Sequence, residues 1–434
     1  MKIAVVVQRY GADINGGAEL HARYIAEGLS KHADVRVLTT CARDYVAWRN
    51  EMPPGTEPVN GIQVERYRVS RERDLVDFGR RSARVFTTRH SLQDELAWLD
   101  SEGPVCPGLI ERLRRSGDEF DFVLLFSARY YQAYHGARAV PGRAVLVPTA
   151  EREAAIALSM FGPIFRGVRA VMYNSPEEQA MITRLTGNAD VPGVVVGIGS
   201  EVPGDASAER ARAKFGLERP YLIYVGRIDA NKGCAELFEY FTKYAARCEQ
   251  PLDLVLIGSP VMPIPDHPRV RHLGFVSDAD KFDAIAGATA LVMPSYFESL
   301  SMVALEAWAL GRPVLANGRC DVLVGQSLRS NAGLYYATAA EFAAAAERLR
   351  SDEPLARAMG RNGQAYYARQ YAWPIIEAKY LDMFERLKRD PAPRRMEPLP
   401  GFFARRARNL PPAADVLGAL PAGPVPAAAY GMSS

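Results

Sequence analysis

The chain has 434 residues, enough for two domains that each bury a core of their own. Its 53 basic and 50 acidic side chains leave a formal net charge of +3, too small to argue for a nucleic-acid partner. The five cysteines are scattered without CxxC spacing, which points away from a disulfide framework or a zinc site, and no stretch approaches the ~20 apolar residues of a membrane span.

Residues 3–7 form a short, β-branched apolar run that suits a parallel strand buried on both faces. The run ends at Gln8-Arg9, so no signal peptide is expected, and the expected location is cytoplasmic. A polar loop from Gln8 to Asn15 leads to Gly16-Gly17, which opens an amphipathic helix through Leu20, Ile25 and Leu29. Residues 35–39 read as the next strand. This β-α-β start favours a doubly wound sheet. The glycines at 11, 16 and 17 lack GxGxxG spacing, and Thr39-Thr40 ends the second strand without an acid for a ribose, so a nicotinamide site is not expected. Gly16 and Gly17 either admit a ligand close to the backbone or simply turn strand into helix.

From Arg43 to Arg89 the chain is polar and basic, with 62–67 read as an edge strand. Helices are expected at 91–99 and 109–115, strands at 121–126 and 144–147, and an aromatic cluster of Tyr130, Tyr131, Tyr134 and His135 stands between the strands. The second of these strands runs into Pro148-Thr149-Ala150-Glu151-Arg152-Glu153, and strand ends are where open α/β sheets place ligands. A strand at 168–173, a helix at 176–185 and a strand at 194–196 complete a Rossmann-like domain over 1–200, followed by a Gly/Pro-rich linker at 197–205. The architecture repeats over 206–372 without repeating the sequence. Strands are expected at 221–225, 254–257, 270–273, 290–293 and 314–316, and helices at 341–349 and 355–371. A last helix occupies 374–388, and 391–434 is a Pro/Ala-rich tail expected to be disordered.

The stretch 290–311 carries the densest chemistry. A buried strand meets the elbow Pro294-Ser295-Tyr296-Phe297, then Glu298, then Ser299 as N-cap of a helix through Leu300, Met302, Val303, Leu305 and Leu310 that Gly311 and Pro313 stop. Free N–H groups in its first turn suit a phosphate. Glu298 beside such a site makes sense if the ligand also offers hydroxyls or developing positive charge. Otherwise it complements the helix dipole, and Glu306 is a solvated helix residue.

Three pieces form a pattern: Gly226-Arg227-Ile228-Asp229-Ala230-Asn231-Lys232-Gly233, Phe297-Glu298-Ser299 through Leu305-Glu306-Ala307, and the N-terminal Gly-Gly loop. In this order and spacing they resemble the retaining nucleotide-sugar glycosyltransferases of family four, within the glycosyl transferases group 1. The resemblance is close across roughly 215–340 and looser across 1–200. It implies the α/β GT-B fold: two Rossmann-like doubly wound domains facing a central cleft, an acceptor domain at 1–200 and a nucleotide-sugar domain at 206–372, with a helix at 373–390 crossing back to the first. It also implies transfer from a nucleoside-diphosphate-sugar donor to a glycan or lipid-linked acceptor, in cell-surface polysaccharide assembly.

The chemistry agrees with the resemblance. A departing diphosphate gathers negative charge and needs fixed cations and N–H donors aimed at it. Arg227 is forked and always charged, Lys232 is compact, and Gly226 shares their turn; Ser299, Leu300, Ser301 and Met302 add the helix start. By resemblance, Glu306 binds ribose hydroxyls, Glu298 faces the transferred sugar and favours an oxocarbenium-like transition state, and the backbone of Gly274-Phe275-Val276 meets the base, bordered by Gly258-Ser259. Gly16 and Gly17 complete the donor set. No cofactor and no metal are expected, because two fixed cations neutralise the diphosphate.

One departure stands out. Relatives carry a His inside a Thr-Ala-His-Asp-Glu-like run, where this chain reads Thr149-Ala150-Glu151-Arg152-Glu153, with Glu151 at the His position. A retaining transferase dispenses with a protein base, since the departing phosphate takes the acceptor's proton on the same face. Glu151 is therefore read as accepting hydrogen bonds from the sugar or from an acceptor amine or hydroxyl; the alternative pairs it with Arg152 or another nearby cation. His21 and His135 are weighed as substitutes for the imidazole, although a lone His beside aromatics is more often structural. Two other functions stay open: a nucleotide-sugar epimerase of the same fold, and a catalytically silent sugar-nucleotide-binding protein, which the absent His suggests and the set Arg227, Lys232, Glu298 and Glu306 opposes. In the tail, Phe402-Phe403 with Arg405, Arg406 and Arg408 suits a peripheral contact with the inner face of an anionic membrane, while its shortness and Pro411-Pro412 favour a solvated tail.

Overall fold

Short, unbroken β-branched runs have no polar face to offer water, so they demand helices on both sides, and the chain meets that demand twice. The computed structural model describes residues 1–14, 16–390, 396–399 and 413–419. Its compact units are Met1–Met396 and Glu397–Ser434. In the second, the described residues include a short helix at Ala413–Gly418, within the tail that composition assigns to disorder.

The first unit holds two sheets. The N-terminal sheet consists of β1 (Lys2–Val6), β2 (Asp34–Thr40), β3 (Gly55–Val59), β4 (Ile62–Tyr67), β5 (Phe122–Phe126), β6 (Ala144–Val147), β7 (Ala170–Tyr173) and β8 (Gly193–Val195), in the order β3-β4-β2-β1-β5-β6-β7-β8. Every pairing is parallel except β3 with β4. The 62–67 strand is thus not the edge: β3 covers it, through a hairpin that turns at Asn60-Gly61, both with positive φ. A second element in this basic stretch, the helix Leu75–Thr87, buries only Val85 and lays Phe78 and Phe86 against Trp98.

The second sheet consists of β9 (Tyr221–Val225), β10 (Asp253–Ile257), β11 (Val270–His272), β12 (Ala290–Met293), β13 (Val314–Asn317) and β14 (Gly333–Tyr336), all parallel, in the order β11-β10-β9-β12-β13-β14. β14, too short and too glycine-led to stand out in the sequence, closes one edge.

The helix Trp373–Arg389 returns to the N-terminal lobe. Phe384 stacks on Phe122 of β5 with ring centroids 4.6 Å apart, Trp373 meets Tyr24 edge-on at 5.9 Å, and Glu377 binds Lys31 and His32 at 2.9 Å each. Arg169 donates to the carbonyls of Leu387 and Asp390, fastening the end of the helix. Phe384 is fully buried. Replacing it with Ala removes the stack and leaves a cavity, at a cost of about 3–5 kcal/mol. The Phe384→Ala variant is expected to unfold at clearly lower urea concentration, and a midpoint equal to wild type would show that the returning helix contributes little to the first lobe.

Candidate functional site

The C-terminal ends of both sheets open onto one cleft of about 640 Å³, lined from the first lobe by Gln8, Arg9, Tyr45, Arg129, Glu151 and Glu153 among others, and from the second by Arg227, Lys232, Lys281, Glu298, Ser299 and Glu306 among others. That volume suits a ligand of nucleotide-sugar size.

On the second lobe, β9 runs into Gly226-Arg227-Ile228-Asp229. Asp229 caps the short turn Ala230–Lys232, accepting from the N–H of Asn231 at 2.9 Å, and pairs with Arg227 at 2.9 Å. Gly233, with φ of +75°, lets the next helix start against the elbow: a Cβ there would lie 2.1 Å from the carbonyl oxygen of Pro294. The two polar segments are thereby pressed together, and Lys232 meets Glu298 at 2.9 Å. Burial opposes the charge on Lys232, but Glu298 and Glu151 outweigh it and hold the ammonium above its ordinary range.

The elbow differs in one respect from the sequence reading. The helix is Met302–Ala309, and its N-cap is Ser301, with φ of +73° and its hydroxyl 3.4 Å from the N–H of Ala304. Ser299 is not the cap; its hydroxyl accepts from Asn174 of the first lobe at 3.3 Å, and the buried Leu300 anchors the chain two residues before the helix begins. Met302 and Val303, in the first turn, line the cleft and their N–H groups make no backbone hydrogen bond among the described residues. Ser299, Leu300 and Ser301 line it as well.

Glu306 is no solvated helix residue. It is 4% exposed, with Oε1 held by Ser200 at 3.0 Å and by Lys281 at 3.2 Å, and with Oε2 unpartnered among the described residues. Burial raises its pKa, and Lys281 pulls against the rise. A buried acceptor with one free oxygen facing a cleft suits a pair of vicinal hydroxyls.

On the first lobe, β1 delivers Gln8 and Arg9. Glu19, in the first turn of the helix Gly17–Ser30, receives Arg9 at 2.7 Å and the amide of Gln8 at 3.1 Å. Gly16 leaves room for this group, since a Cβ there would lie 2.0 Å from Glu19 Oε2 and 2.9 Å from the Arg9 guanidinium. Gly16 and Gly17 both line the cleft. Tyr45 bridges the lobes, its hydroxyl accepting from Arg227 at 2.6 Å while its ring lies against Arg9. β5 and β6 end in Ser127 and Thr149, both with positive φ, their hydroxyls 3.0 Å apart. A left-handed Thr is costly, and such strain gathers at functional sites.

Glu151 lines the cleft after β6. Burial pushes its pKa up to about 7; Lys232 pulls it back, and Glu298 and Glu153 add to the push. It does not pair with Arg152, which reaches Asp321 of the second lobe at 3.3 Å. His21 also lines the cleft, edge-on to Phe126 at 5.2 Å, and burial lowers its pKa to about 3, so it stands there as a neutral ring. His135 packs on Tyr131 and Tyr134 outside the cleft, and burial lowers it to about 4.

Phe275 and Val276 are not brought into the cleft lining: Phe275 is 75% exposed and Val276 packs against the core. Gly258 and Ser259 stand outside it too. The second lobe does contain an Asp-x-Asp, Asp278-Ala279-Asp280, which the expectation of no metal left out of account. It opens the helix Asp278–Gly287, and neither Asp lines the cleft: Asp280 is bound to Lys214 at 2.7 Å and Asp278 to Lys281 at 3.3 Å. Among the described residues no group of His, Cys, Asp or Glu is arranged to hold a metal ion, and no helix is long and apolar enough to cross a membrane. The patch Phe402 to Arg408 lies outside the described residues. Sequence reading missed Arg9, Glu19, Tyr45, Arg129 and Lys281, which reach the cleft from loops or helices whose neighbours carry no motif, and Ser200, which holds Glu306.

Residues 219–352 match the family described as Glycosyl transferases group 1. The match lies within the second lobe and covers less than a third of the chain. The matching curated relatives include a D-inositol 3-phosphate glycosyltransferase of Streptomyces bingchenggensis, 30% identical over 42% of this chain and 44% of that protein. Another is an alpha-D-kanosaminyltransferase of Streptomyces kanamyceticus, 31% identical over 39% of this chain and 47% of that protein. The chain thus spans about half the length of the curated relatives it matches. Over the whole architecture it is similar to a sucrose-phosphate synthase from Thermosynechococcus elongatus, with 18% identity, 90% of this chain and 99% of that chain covered, and a TM-score of 0.63. Anabaena HepE, solved with UDP-glucose, gives 16%, 89%, 100% and 0.61. The chain therefore has the GT-B fold of these neighbours, with the matched stretch in the second lobe, facing a first lobe of the same Rossmann-like kind.

The raised pKa of Glu151 makes a linkage prediction. In the window from its ordinary 4.5 up to about 7 the folded state binds more protons than the unfolded state, so this group's contribution to stability falls as pH rises through that window. Its size is at most ~3 kcal/mol. Denaturant unfolding between about pH 5 and about pH 8 is expected to show a steeper loss for wild type than for Glu151→Gln; parallel curves would mean that Glu151 titrates at its ordinary value.

Proposed function

We propose that the protein is a retaining glycosyltransferase that moves a sugar from a nucleoside diphosphate, with uridine as the base, to a hydroxyl-bearing glycan or lipid-linked acceptor in cell-surface polysaccharide assembly. The observation that carries this reading is the convergence on one cleft of Arg227, Lys232, the first turn of Met302–Ala309 and the half-satisfied carboxylate of Glu306. Solved neighbours in complex with UDP, UDP-glucose or UDP-2-fluoro glucose support the donor class and its base.

In this reading the diphosphate lies against Arg227, Lys232 and the N–H groups of Met302 and Val303, and Glu306 accepts from the ribose hydroxyls. The bond between the anomeric carbon and the phosphate oxygen breaks with its electron pair going to the diphosphate, where fixed positive charge lowers the barrier. Positive charge grows on the sugar beside Glu298. The acceptor oxygen bonds to the anomeric carbon on the face the phosphate leaves, and its proton passes to the departing phosphate oxygen, so configuration is kept and no protein base or metal is used. The interlobe contacts of Tyr45 with Arg227 and of Asn174 with Ser299 close the cleft and exclude water.

The test is calorimetric titration of UDP, GDP, ADP and CMP, with and without Mg²⁺, on wild type, Arg227→Ala and Glu306→Ala. UDP is expected to bind without metal, and each substitution to weaken it about ten- to hundred-fold. If no nucleotide binds, or binding ignores both substitutions, the reading fails. Lys232→Ala is expected to lower kcat about 10²–10³-fold with a smaller change in KM, since its charge acts mainly on the leaving group.

A further inference from the structure

Five carboxylates line the cleft: Glu19, Glu151, Glu153, Glu298 and Glu306. Four of them hold a cation of the protein. Glu19 has Arg9 at 2.7 Å, Glu298 has Lys232 at 2.9 Å, Glu306 has Lys281 at 3.2 Å, and Glu153 has Arg129, which Glu102 shares from behind at 2.9 Å. The remaining cation of the lining, Arg227, belongs to Asp229 at 2.9 Å. Glu151 alone has neither ion pair nor side-chain hydrogen bond among the described residues. Its neighbour in sequence, Arg152, is engaged with Asp321, and Lys232 acts on it only through space.

A partly buried carboxylate without a partner, in a cleft that already holds four others, is costly to keep charged. Elsewhere in this cleft that cost is met by a built-in cation. We propose that at Glu151 the missing cation comes with the substrate, as a protonated amine on one of the two sugars that the cleft brings together, so that donor or acceptor is an aminodeoxy sugar. This rests on the transferase reading and names the substrate class for it. A hydroxyl in the same place would occupy one lone pair and leave the negative charge uncompensated, whereas an ammonium supplies both donors and charge. An acceptor carrying phosphate or carboxylate there would face Glu151, Glu153 and Glu298 together. The state of Glu151 fits the same picture: burial holds the empty carboxyl partly protonated near neutrality, and an arriving ammonium would draw it to the charged form.

Two titrations of the full chain separate the sources of the amine. UDP-glucosamine and the other UDP-aminodeoxyglucoses, each against UDP-glucose, test the donor. Each monoamino-deoxyglucose against glucose, on protein with and without UDP, tests the acceptor. One amine-bearing member in one arm is expected to bind about ten- to hundred-fold tighter than its hydroxyl parent near neutral pH. Glu151→Gln, of equal size without the charge, is expected to bring the two within about two-fold, while Glu151→Asp keeps part of the preference; circular dichroism checks that both variants fold. Equal affinity of amine and hydroxyl sugars in both arms overturns the inference, as does a preference that survives in Glu151→Gln. Failure of UDP itself to bind wild type counts against the transferase reading instead, and the titrations without UDP still decide whether Glu151 selects an amine.

Discussion

A parallel sheet covered by helices on both faces can present polar groups to a ligand only along its C-terminal edge. Both sheets of this protein obey that constraint, and everything chemical follows from it. Gln8 and Arg9 leave β1, Ser127 and Arg129 follow β5, Thr149 to Glu153 follow β6, Asn174 follows β7, Gly226 to Lys232 follow β9 and Ser295 to Glu298 follow β12. Apart from Lys2 at the start of β1 and the two tyrosine hydroxyls of β9, which bond to backbone carbonyls, strands β1, β5, β6, β9 and β12 are apolar.

Placing so many charges in one partly buried cleft would be unfavourable if they were not matched. The matching is done within each lobe for the most part: Arg9 with Glu19, Arg129 with Glu102 and Glu153, Lys232 with Glu298, Lys281 with Glu306. Each pair leaves one partner able to turn toward a ligand while the other stays compensated, which is how a site can be preorganised without being occupied. The fully buried Glu178 belongs to the same scheme, accepting the N–H groups of Ala150 and Asn174 at 2.5 Å each and so fixing the loop ends after β6 and β7.

Between the lobes the contacts are polar and few in kind: Arg329 with Glu177, Arg152 with Asp321, Tyr45 with Arg227, Asn174 with Ser299 and Ser200 with Glu306. The apolar contact that joins the end of the chain to the first lobe lies instead under the helix Trp373–Arg389. Polar contacts at the cleft can be exchanged for ligand contacts at small cost, whereas the buried aromatic stack of Phe384 on Phe122 cannot.

By itself the sequence determined whatever depends on neighbours along the chain. The buried strands, the turn from Gly226 to Gly233, the spacing of Glu298 and Glu306 about a short helix and the returning helix were all legible, because periodicity, turn chemistry and short spacing are local. The hairpin at 55–67 was half legible: its outer strand is exposed and polar, and only Asn60-Gly61 betrays it. The cap at Ser301 rather than Ser299 was decided by the burial of Leu300, a tertiary fact. The tertiary structure alone decided which groups meet across 100 residues and more. Ser200 on Glu306, Tyr45 on Arg227 and the solitary state of Glu151 arise from two sheets turning their edges toward each other, and no spacing along the chain encodes that approach.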